Sequence, residues 1–169
     1  WQTHGHLDHI ADTVPLAKKT GAQVIANWEI CYWIHDQGHG DTWSMNIGGG
    51  YDFPFGRVKL TPALHSSGLP DGSYGGDPGG FLIFAEGKTI YIAGDTALFS
   101  DMALIGKYGI DLAIIPTGDN YTMGPEDALE ALAYLKPKIV IPCHYGTFPM
   151  LVPDMDDWAA SVHASTPVR

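Results

Sequence analysis

The chain has 169 residues, 45% hydrophobic and 17% charged, values typical of one globular domain with a buried core rather than of a disordered chain. Its formal net charge of -10 repels nucleic-acid backbones, which argues against a nucleic-acid partner. No apolar run approaches the roughly 20 residues that span a bilayer, and two cysteines do not make a disulfide framework. We therefore predict a single domain over residues 1–169, without a membrane partner and in the reducing cytoplasm.

The first half of the chain alternates between helical and extended patterns. Its predicted elements are a helix over 10–20, a strand over 22–26, a helix over 28–36, strands over 51–55 and 57–64, and a hairpin of 81–85 with 88–93. Gly21 is expected to end the first helix, and Asn27 to cap the second. The glycine-rich segment 68–80 is predicted to be a mobile loop that walls an active site.

The second half continues this alternation. Its predicted elements are a helix over 100–108, a buried strand over 110–116, a helix that starts near Pro125, a buried strand over 138–142, and a last helix that opens near Pro153. Ser100 is the expected cap of the first of these helices, and Leu129, Leu132 and Leu135 form the expected apolar stripe of the second. Three histidines outside any ligand pattern are predicted to be exposed: His35, His39 and His163.

The densest chemical pattern is THGHLDH, near the start of the chain. His4 and His6 are two positions apart, so an extended segment points both rings to the same side, where one metal ion can take both. Asp8 and His9 then enter a turn or a first helical turn and can face a second ion. Imidazole and carboxylate ligands suit zinc, and also iron, nickel or manganese. The alternative is a surface run of polar residues that binds no metal.

Three further candidate ligands stand at or just after predicted strands: His65, Asp95 and His144. Strand ends that meet at one edge of a layered sheet commonly form a site. Each residue alone also has a structural interpretation, as a core histidine, a turn aspartate or a packing histidine. Cys143 beside His144 can be read as a nucleophile pair, although neighbours on a strand point to opposite faces.

Together these motifs resemble those of the metallo-β-lactamase superfamily. The signature His-x-His-x-Asp-His begins at His4, and four more segments follow in the family's order: ALHSSG at 63–68, IAGDT at 92–96, GDNYTMGPEDA at 118–128 and IPCHY at 141–145. The pattern is most similar to a branch of poorly characterised bacterial and archaeal metal-dependent hydrolases related to the ascorbate-phosphate lactonases.

This resemblance implies an α/β fold, a metallo-β-lactamase-type αββα sandwich. In the family several buried strands precede the first motif, whereas three residues precede His4 here. We therefore expect the sandwich to lack its N-terminal strands, which are missing from this chain or supplied by another chain. A homo-oligomer is a further expectation.

The resemblance also implies a ligand set for two divalent metal ions, with Zn²⁺ the first choice and Ni²⁺, Mn²⁺ or Fe as alternatives. By the family's pattern one ion is held by His4, His6 and His65, and the second by Asp8, His9 and His144, with Asp95 as the bridge. A water between the ions is expected to attack the substrate, with Asp8, Asp95 and His144 in catalytic roles.

Residues behind or beside these ligands are candidates for orienting ligands or substrate. Asp119, Asn120 and Thr122 follow a buried strand, and an Asx turn with a helix cap is the alternative interpretation. The hydroxyl of Tyr145 can donate to an oxyanion, or the ring can simply pack. Two weaker candidates follow His65 directly: Ser66 and Ser67.

The leading functional hypothesis is a metal-dependent hydrolase of a small ester, lactone or phosphoester. A phosphodiesterase or nuclease of the tRNA-processing type shares the signature, but the negative charge argues against it. A β-lactamase proper and an iron-dependent redox enzyme are further alternatives within the superfamily. The non-enzymatic alternative is a metal-binding module, which would have a closed coordination shell where an enzyme keeps an open position.

Overall fold

A computed structural model describes the backbone of residues 1–165 and the side chains of residues 1–162, so the predicted exposure of His163 lies outside the described side chains. Six helices are described: α1 Leu7–Ile10, α2 Thr13–Thr20, α3 Trp28–Asp36, α4 Met102–Gly106, α5 Pro125–Leu135 and α6 Asp156–Ser165. Eight strands are described: β1 Val24–Asn27, β2 Thr42–Met45, β3 Gly50–Phe53, β4 Gly56–Pro62, β5 Gly79–Ala85, β6 Lys88–Ile92, β7 Leu112–Pro116 and β8 Ile139–Cys143. No helix among these residues is long and apolar enough to span a membrane.

The strands form two sheets of unequal size. Six strands, β3 to β8, lie in chain order in one sheet, while β1 and β2 pair in parallel to form the other. In the larger sheet β3 to β6 are antiparallel, and β6, β7 and β8 are parallel. This pattern makes β4, β6, β7 and β8 run in the same direction. Their carboxyl ends therefore meet at one edge of the sheet.

Helices cover the outer faces of both sheets. Buried residues of α4, α5 and α6 pack against one face of the large sheet, where Ala113 and Ile115 of β7 point. On the small sheet, alternation along β1 turns Val24 and Ala26 towards α3 and turns Ile25 towards the large sheet. The layers therefore follow the order helix, sheet, sheet, helix, which confirms the predicted αββα sandwich.

Several helices begin or end where the sequence predicted. The side chain of Asn27 accepts a hydrogen bond from the backbone N–H of Ile30 at 2.9 Å and caps α3. Gly21 ends α2 in the left-handed conformation, at φ 71°. Pro125 occupies the first turn of α5, where a missing N–H costs no helical hydrogen bond.

Other local predictions were wrong. The helix predicted over 10–20 is two helices, α1 and α2, and the strand β2 was not predicted. Helix α4 begins at Met102 after Asp101, without a side-chain capping bond, so Ser100 is not its cap. His39 is buried rather than exposed, because its Nε2 lies 3.1 Å from the carbonyl oxygen of Ala22. His35 is exposed as predicted.

Burial along α5 and β8 also differs from prediction. The core-facing residues of α5 are Ala128, Ala131 and Leu135, whereas two of the predicted stripe residues are only partly buried: Leu129 and Leu132. An apolar pattern weighted to leucine misses these small buried alanines. Strand β8 was predicted to be buried but is the edge strand of the sheet, with an exposed face.

The small sheet covers only part of the inner face of the large sheet. One row of residues paired across successive strands comprises Val58, Ile83, Ile90, Leu112 and Ile139. Along this row exposure rises from 0% at Val58 and 4% at Ile83 to 62% at Ile139. A parallel row ends at Ile141, which is 46% exposed. The small sheet thus covers β4 and β5, while the apolar face of β6 to β8 remains open.

Candidate metal centre

The candidate ligands converge at the edge where the parallel-running strands end. His65 follows β4, Asp95 follows β6 and His144 follows β8. The segment that carries His4 is held between the sheets by two backbone hydrogen bonds, Gln2 N–H to Ile25 O at 2.9 Å and Gly79 N–H to Thr3 O at 3.0 Å. The structure brings together all seven predicted ligands: His4, His6, Asp8, His9, His65, Asp95 and His144.

One half of the site consists of imidazoles alone. The donor atoms of His4, His6 and His65 lie within 4.8 Å of one another, and His4 Nε2 is 3.1 Å from His6 Nδ1. Zinc–nitrogen bonds of about 2.0–2.1 Å at tetrahedral angles separate the ligand atoms by about 3.3 Å. The spacing of His4 and His6 therefore fits two ligands of one ion.

The other half of the site contains a carboxylate. The donor atoms of Asp8, His9 and His144 also lie within 4.8 Å of one another. Asp8 Oδ2 is 3.4 Å from His9 Nε2 and 3.7 Å from His144 Nε2. Asp8 is the most open of the three, with 43% of its side chain exposed. This half-site fits a second ion and faces solvent.

Asp95 lies between the two halves. Its Oδ2 is 3.2 Å from the Nε2 atoms of His9 and His144, and 3.7 Å from the Nε2 atoms of His4 and His65. Asp95 is only 3% exposed. One buried carboxylate oxygen thus contacts imidazoles of both halves, which is the position expected of a bridging ligand.

Burial keeps the first half-site uncharged. Burial, together with the neighbouring His9 and against the opposing charge of Asp95, lowers the pKa of His4 to about 3. Burial also lowers the pKa of His65. Both rings are therefore neutral at physiological pH, and a neutral imidazole has the free lone pair that a metal ligand needs.

The carboxylate at the centre is ionised. Burial alone would raise the pKa of Asp95, but hydrogen bonds from His144 and His9 outweigh it and hold that pKa well below its usual range. The same hydrogen bond to Asp95 raises the pKa of His144. A buried anion surrounded by imidazoles is the charge that cations would stabilise. The donor set therefore fits divalent metal ions.

A close backbone contact fixes His144. This residue has a positive φ of 57°, which is unusual for a residue with a side chain. A Cβ atom at Gly118 would lie 1.8 Å from the His144 carbonyl oxygen, so only glycine fits there. The N–H of Thr117 also donates to the Cys143 carbonyl oxygen at 3.0 Å. The loop after β7 thus holds the ligand that follows β8.

Asp119 and Thr122, which were predicted to orient ligands or substrate, form hydrogen bonds with adjacent residues. Asp119 accepts a hydrogen bond from the N–H of Asn120 at 2.7 Å, and Thr122 donates to the Met123 carbonyl oxygen at 3.2 Å. Asp119 and Asn120 both have positive φ. These contacts agree with the local-turn interpretation. Tyr145 is partly buried and packs against the core that contains Ala113 and Ile115.

Cys143 is not primed to act as a nucleophile. Burial, together with the charge of Asp95, raises the pKa of its thiol to about 11. The thiol is therefore protonated at neutral pH, whereas the thiolate is the reactive form. Burial likewise raises the pKa of Cys31 to about 11. Both cysteines are free.

Sequence reasoning missed two threonines that support the ligands. Thr3 Oγ1 lies 3.1 Å from His4 Nδ1, the ring nitrogen that points away from the site. Thr96, which is fully buried, accepts a hydrogen bond from the N–H of Leu64 at 3.0 Å. This bond joins the segment that carries His65 to the segment that carries Asp95. Adjacency to a ligand was the only sequence signal for either threonine.

Sequence similarity identifies the family. A family model described as the beta-lactamase superfamily domain matches residues 2–145. The chain belongs to the metallo-β-lactamase superfamily. Within it, the chain is 53% identical over 168 residues to a UPF0173 metal-dependent hydrolase of Lysinibacillus sphaericus, covering 96% of this chain and 74% of that protein. A UPF0173 metal-dependent hydrolase of Thermus thermophilus is 52% identical over 157 residues, covering 93% of this chain and 69% of that protein.

Solved structures of the metallo-β-lactamase superfamily agree. Igni18, a metallo hydrolase from the hyperthermophilic archaeon Ignicoccus hospitalis, is 38% identical with a TM-score of 0.86, covering 96% of this chain and 70% of that chain. An isothiocyanate hydrolase from Delia radicum gut bacteria shares the fold at 22% identity, with a TM-score of 0.74 over 96% of this chain and 68% of that chain. These similarities confirm the predicted fold and the prediction of a metal-dependent hydrolase.

Proposed function

We propose that this chain is a dinuclear hydrolase that acts on a small ester, lactone or phosphoester. The observation that carries the proposal is the position of Asp95, whose Oδ2 lies within 3.7 Å of imidazoles from both half-sites. A carboxylate shared in this way suits two ions better than one. The ions are proposed to be Zn²⁺, which accepts imidazole and carboxylate ligands.

The chain's own residues divide the work of the reaction. Bound divalent ions would lower the pKa of a coordinated water towards neutrality and polarise the substrate's carbonyl or phosphoryl oxygen. His4, His6 and His65 would hold the first ion as neutral donors, and His9 and His144 would share the second with Asp8. Asp95 would hold the two half-sites in a fixed position relative to each other. The open carboxylate of Asp8 is the group best exposed to take up the proton of the attacking water.

Two cavities beside the ligands favour a small substrate. One, of about 470 Å³, extends from Asp8 and His144 along Ile92 and Ile114 of the open sheet face. The other, of about 390 Å³, is lined by His65 and by Tyr74 of the predicted loop wall. Volumes of this size suit small ligands. The net charge of -10 disfavours a polyanion, so a nuclease of the tRNA-processing type is the weaker candidate.

The test is a hydrolase panel run on zinc-loaded protein. It should contain lactones, carboxylic esters, phosphodiesters and β-lactams, with metal content measured on the same sample. We expect turnover of a lactone, ester or phosphoester, and its loss when a chelator removes the metal. Two bound ions without turnover of any panel member would favour a metal-binding module instead.

We further propose that a β-layer covers the open apolar face of β6 to β8. Ile139 and Ile141 are 62% and 46% exposed there, more than a soluble sheet face normally leaves uncovered. The Lysinibacillus relative extends beyond the matched region by about a quarter of its length, enough for such a layer. We assign the cover to residues of the same polypeptide outside these 169. Stable dimers of the 169-residue chain that bury this face would assign it to a second copy.

A further inference from the structure

Two serines directly after His65 contact the first half-site from behind. Ser66 Oγ lies 3.2 Å from His6 Nε2. Ser67 is 5% exposed, and its Oγ accepts a hydrogen bond from the N–H of Gly5 at 3.0 Å while donating to the Gly75 carbonyl oxygen at 3.1 Å. The segment 65–67 thus supplies one candidate ligand, His65, and two contacts to the segment that carries the other two ligands of this half-site.

The contact with Ser66 determines which nitrogen of His6 can bind metal. Because His6 Nδ1 faces His4 Nε2 at 3.1 Å, Nδ1 is the atom that points into the half-site. A neutral imidazole has one protonated nitrogen, so a free lone pair on Nδ1 requires the proton to be on Nε2. The Nε2–H can then donate to Ser66 Oγ. The hydroxyl therefore favours the tautomer that leaves Nδ1 free, as partners behind metal-binding histidines generally do.

The contact with Ser67 fixes the backbone between the two histidines. Gly5 separates His4 from His6, and its N–H has the buried Ser67 hydroxyl as partner. Ser67 is itself held twice by Gly75, because the N–H of Gly75 also donates to the Ser67 carbonyl oxygen at 2.7 Å. A Cβ at Gly75 would lie 2.5 Å from that same oxygen, so this approach requires glycine. The glycine-rich loop thus supports the spacing of the two rings.

We propose that Ser66 and Ser67 are positioning residues for the half-site of His4, His6 and His65. Ser66 sets the tautomer and orientation of His6, and Ser67 sets the backbone that spaces His6 from His4. The proposal rests on the proposed metal site and adds that the two hydroxyls support one half-site and not the other. Losing either hydroxyl weakens the all-histidine half-site and leaves the half-site of Asp8, His9 and His144 largely unchanged.

Ser66→Ala is the primary test, because Ser66 is exposed and its loss leaves the fold intact. Zinc affinities of both half-sites are measured by chelator competition, and the tautomer of His6 is read by ¹H–¹⁵N correlation of its ring. We expect one zinc affinity to fall about 10-fold or more, with the other within twofold. The Nε2–H signal of His6 should exchange faster with water.

Two further variants separate positioning from general damage. Ser66→Thr keeps the hydroxyl and should restore zinc affinity to within about threefold of wild type. Ser73→Ala, which removes an exposed hydroxyl that donates to Asp71 at 2.6 Å, should leave both affinities unchanged. Equal zinc affinities in Ser66→Ala and wild type would overturn the positioning role of Ser66 and leave the proposed function standing. A wild-type chain that binds no zinc would overturn it together with the proposed function.

Discussion

Replacing Asp95 by asparagine removes the central charge and keeps the shape of the side chain. Asp95 is 3% exposed, and its Oδ2 lies 3.2–3.7 Å from four imidazole nitrogens. Two unit charges about 4 Å apart interact by about 4 kcal/mol at an effective dielectric constant of about 20. Each 1.4 kcal/mol corresponds to about a factor of ten in affinity. The more weakly bound ion should therefore lose up to about 10³-fold in affinity.

The expected result is a protein with about one metal ion per chain. Activity on any confirmed substrate should fall by about 10²-fold or more, because in the proposed mechanism both ions would activate and align the attacking water. The fold should persist, since asparagine fills the same volume at the edge of the core. The assay combines metal stoichiometry, kcat and circular dichroism on one sample.

A matched control is Asp52→Asn. Asp52 is exposed and forms an ion pair with Arg57 at 2.8 Å, and such surface pairs contribute little to stability. This control should retain the metal content and activity of the wild type. If Asp95→Asn also retained two ions and full activity, the bridging role would be refuted and Asp95 would be a turn residue.

Three further predictions test other features of the structure. Cys143→Ala should leave kcat/KM within about threefold, because a thiol with a pKa of about 11 is protonated at neutral pH; a 100-fold loss would point to a nucleophile. Gly118→Ala should destabilise the fold by about 1–3 kcal/mol in urea titrations and reduce metal binding, since its Cβ would meet the His144 carbonyl oxygen at 1.8 Å; unchanged values would contradict that contact. Ile139→Lys combined with Ile141→Lys should reduce dye binding and self-association of the 169-residue chain, with the urea midpoint nearly unchanged, because both side chains are exposed; undiminished dye binding would exclude this face as the apolar surface.

Chemical motifs could be predicted from the sequence because each depends on few residues. The spacing of His4 and His6 predicted that both rings face one side, and the strand-end positions of Asp95 and His144 predicted that they meet at one sheet edge. The full ligand set came from the family resemblance. Asn27 and Gly21 marked helix ends through purely local chemistry. The αββα sandwich was predicted from the family resemblance rather than from hydrophobic periodicity.

The errors concern features that depend on distant neighbours. The exposure of Ile139 depends on how far the small sheet extends. An apolar run of sequence does not show whether another layer covers it. The burial of His39 depends on a carbonyl 17 residues away, at Ala22. The hydrogen bond that Thr96 accepts from Leu64 becomes visible only when separate segments are brought together.

The central claim is that one buried carboxylate joins two metal ions. Anomalous diffraction at the zinc edge from crystals of zinc-loaded protein tests it most directly. We expect two peaks, one among His4, His6 and His65 and one among Asp8, His9 and His144, with Asp95 contacting both. A single peak, or two peaks of which only one touches Asp95, would contradict it.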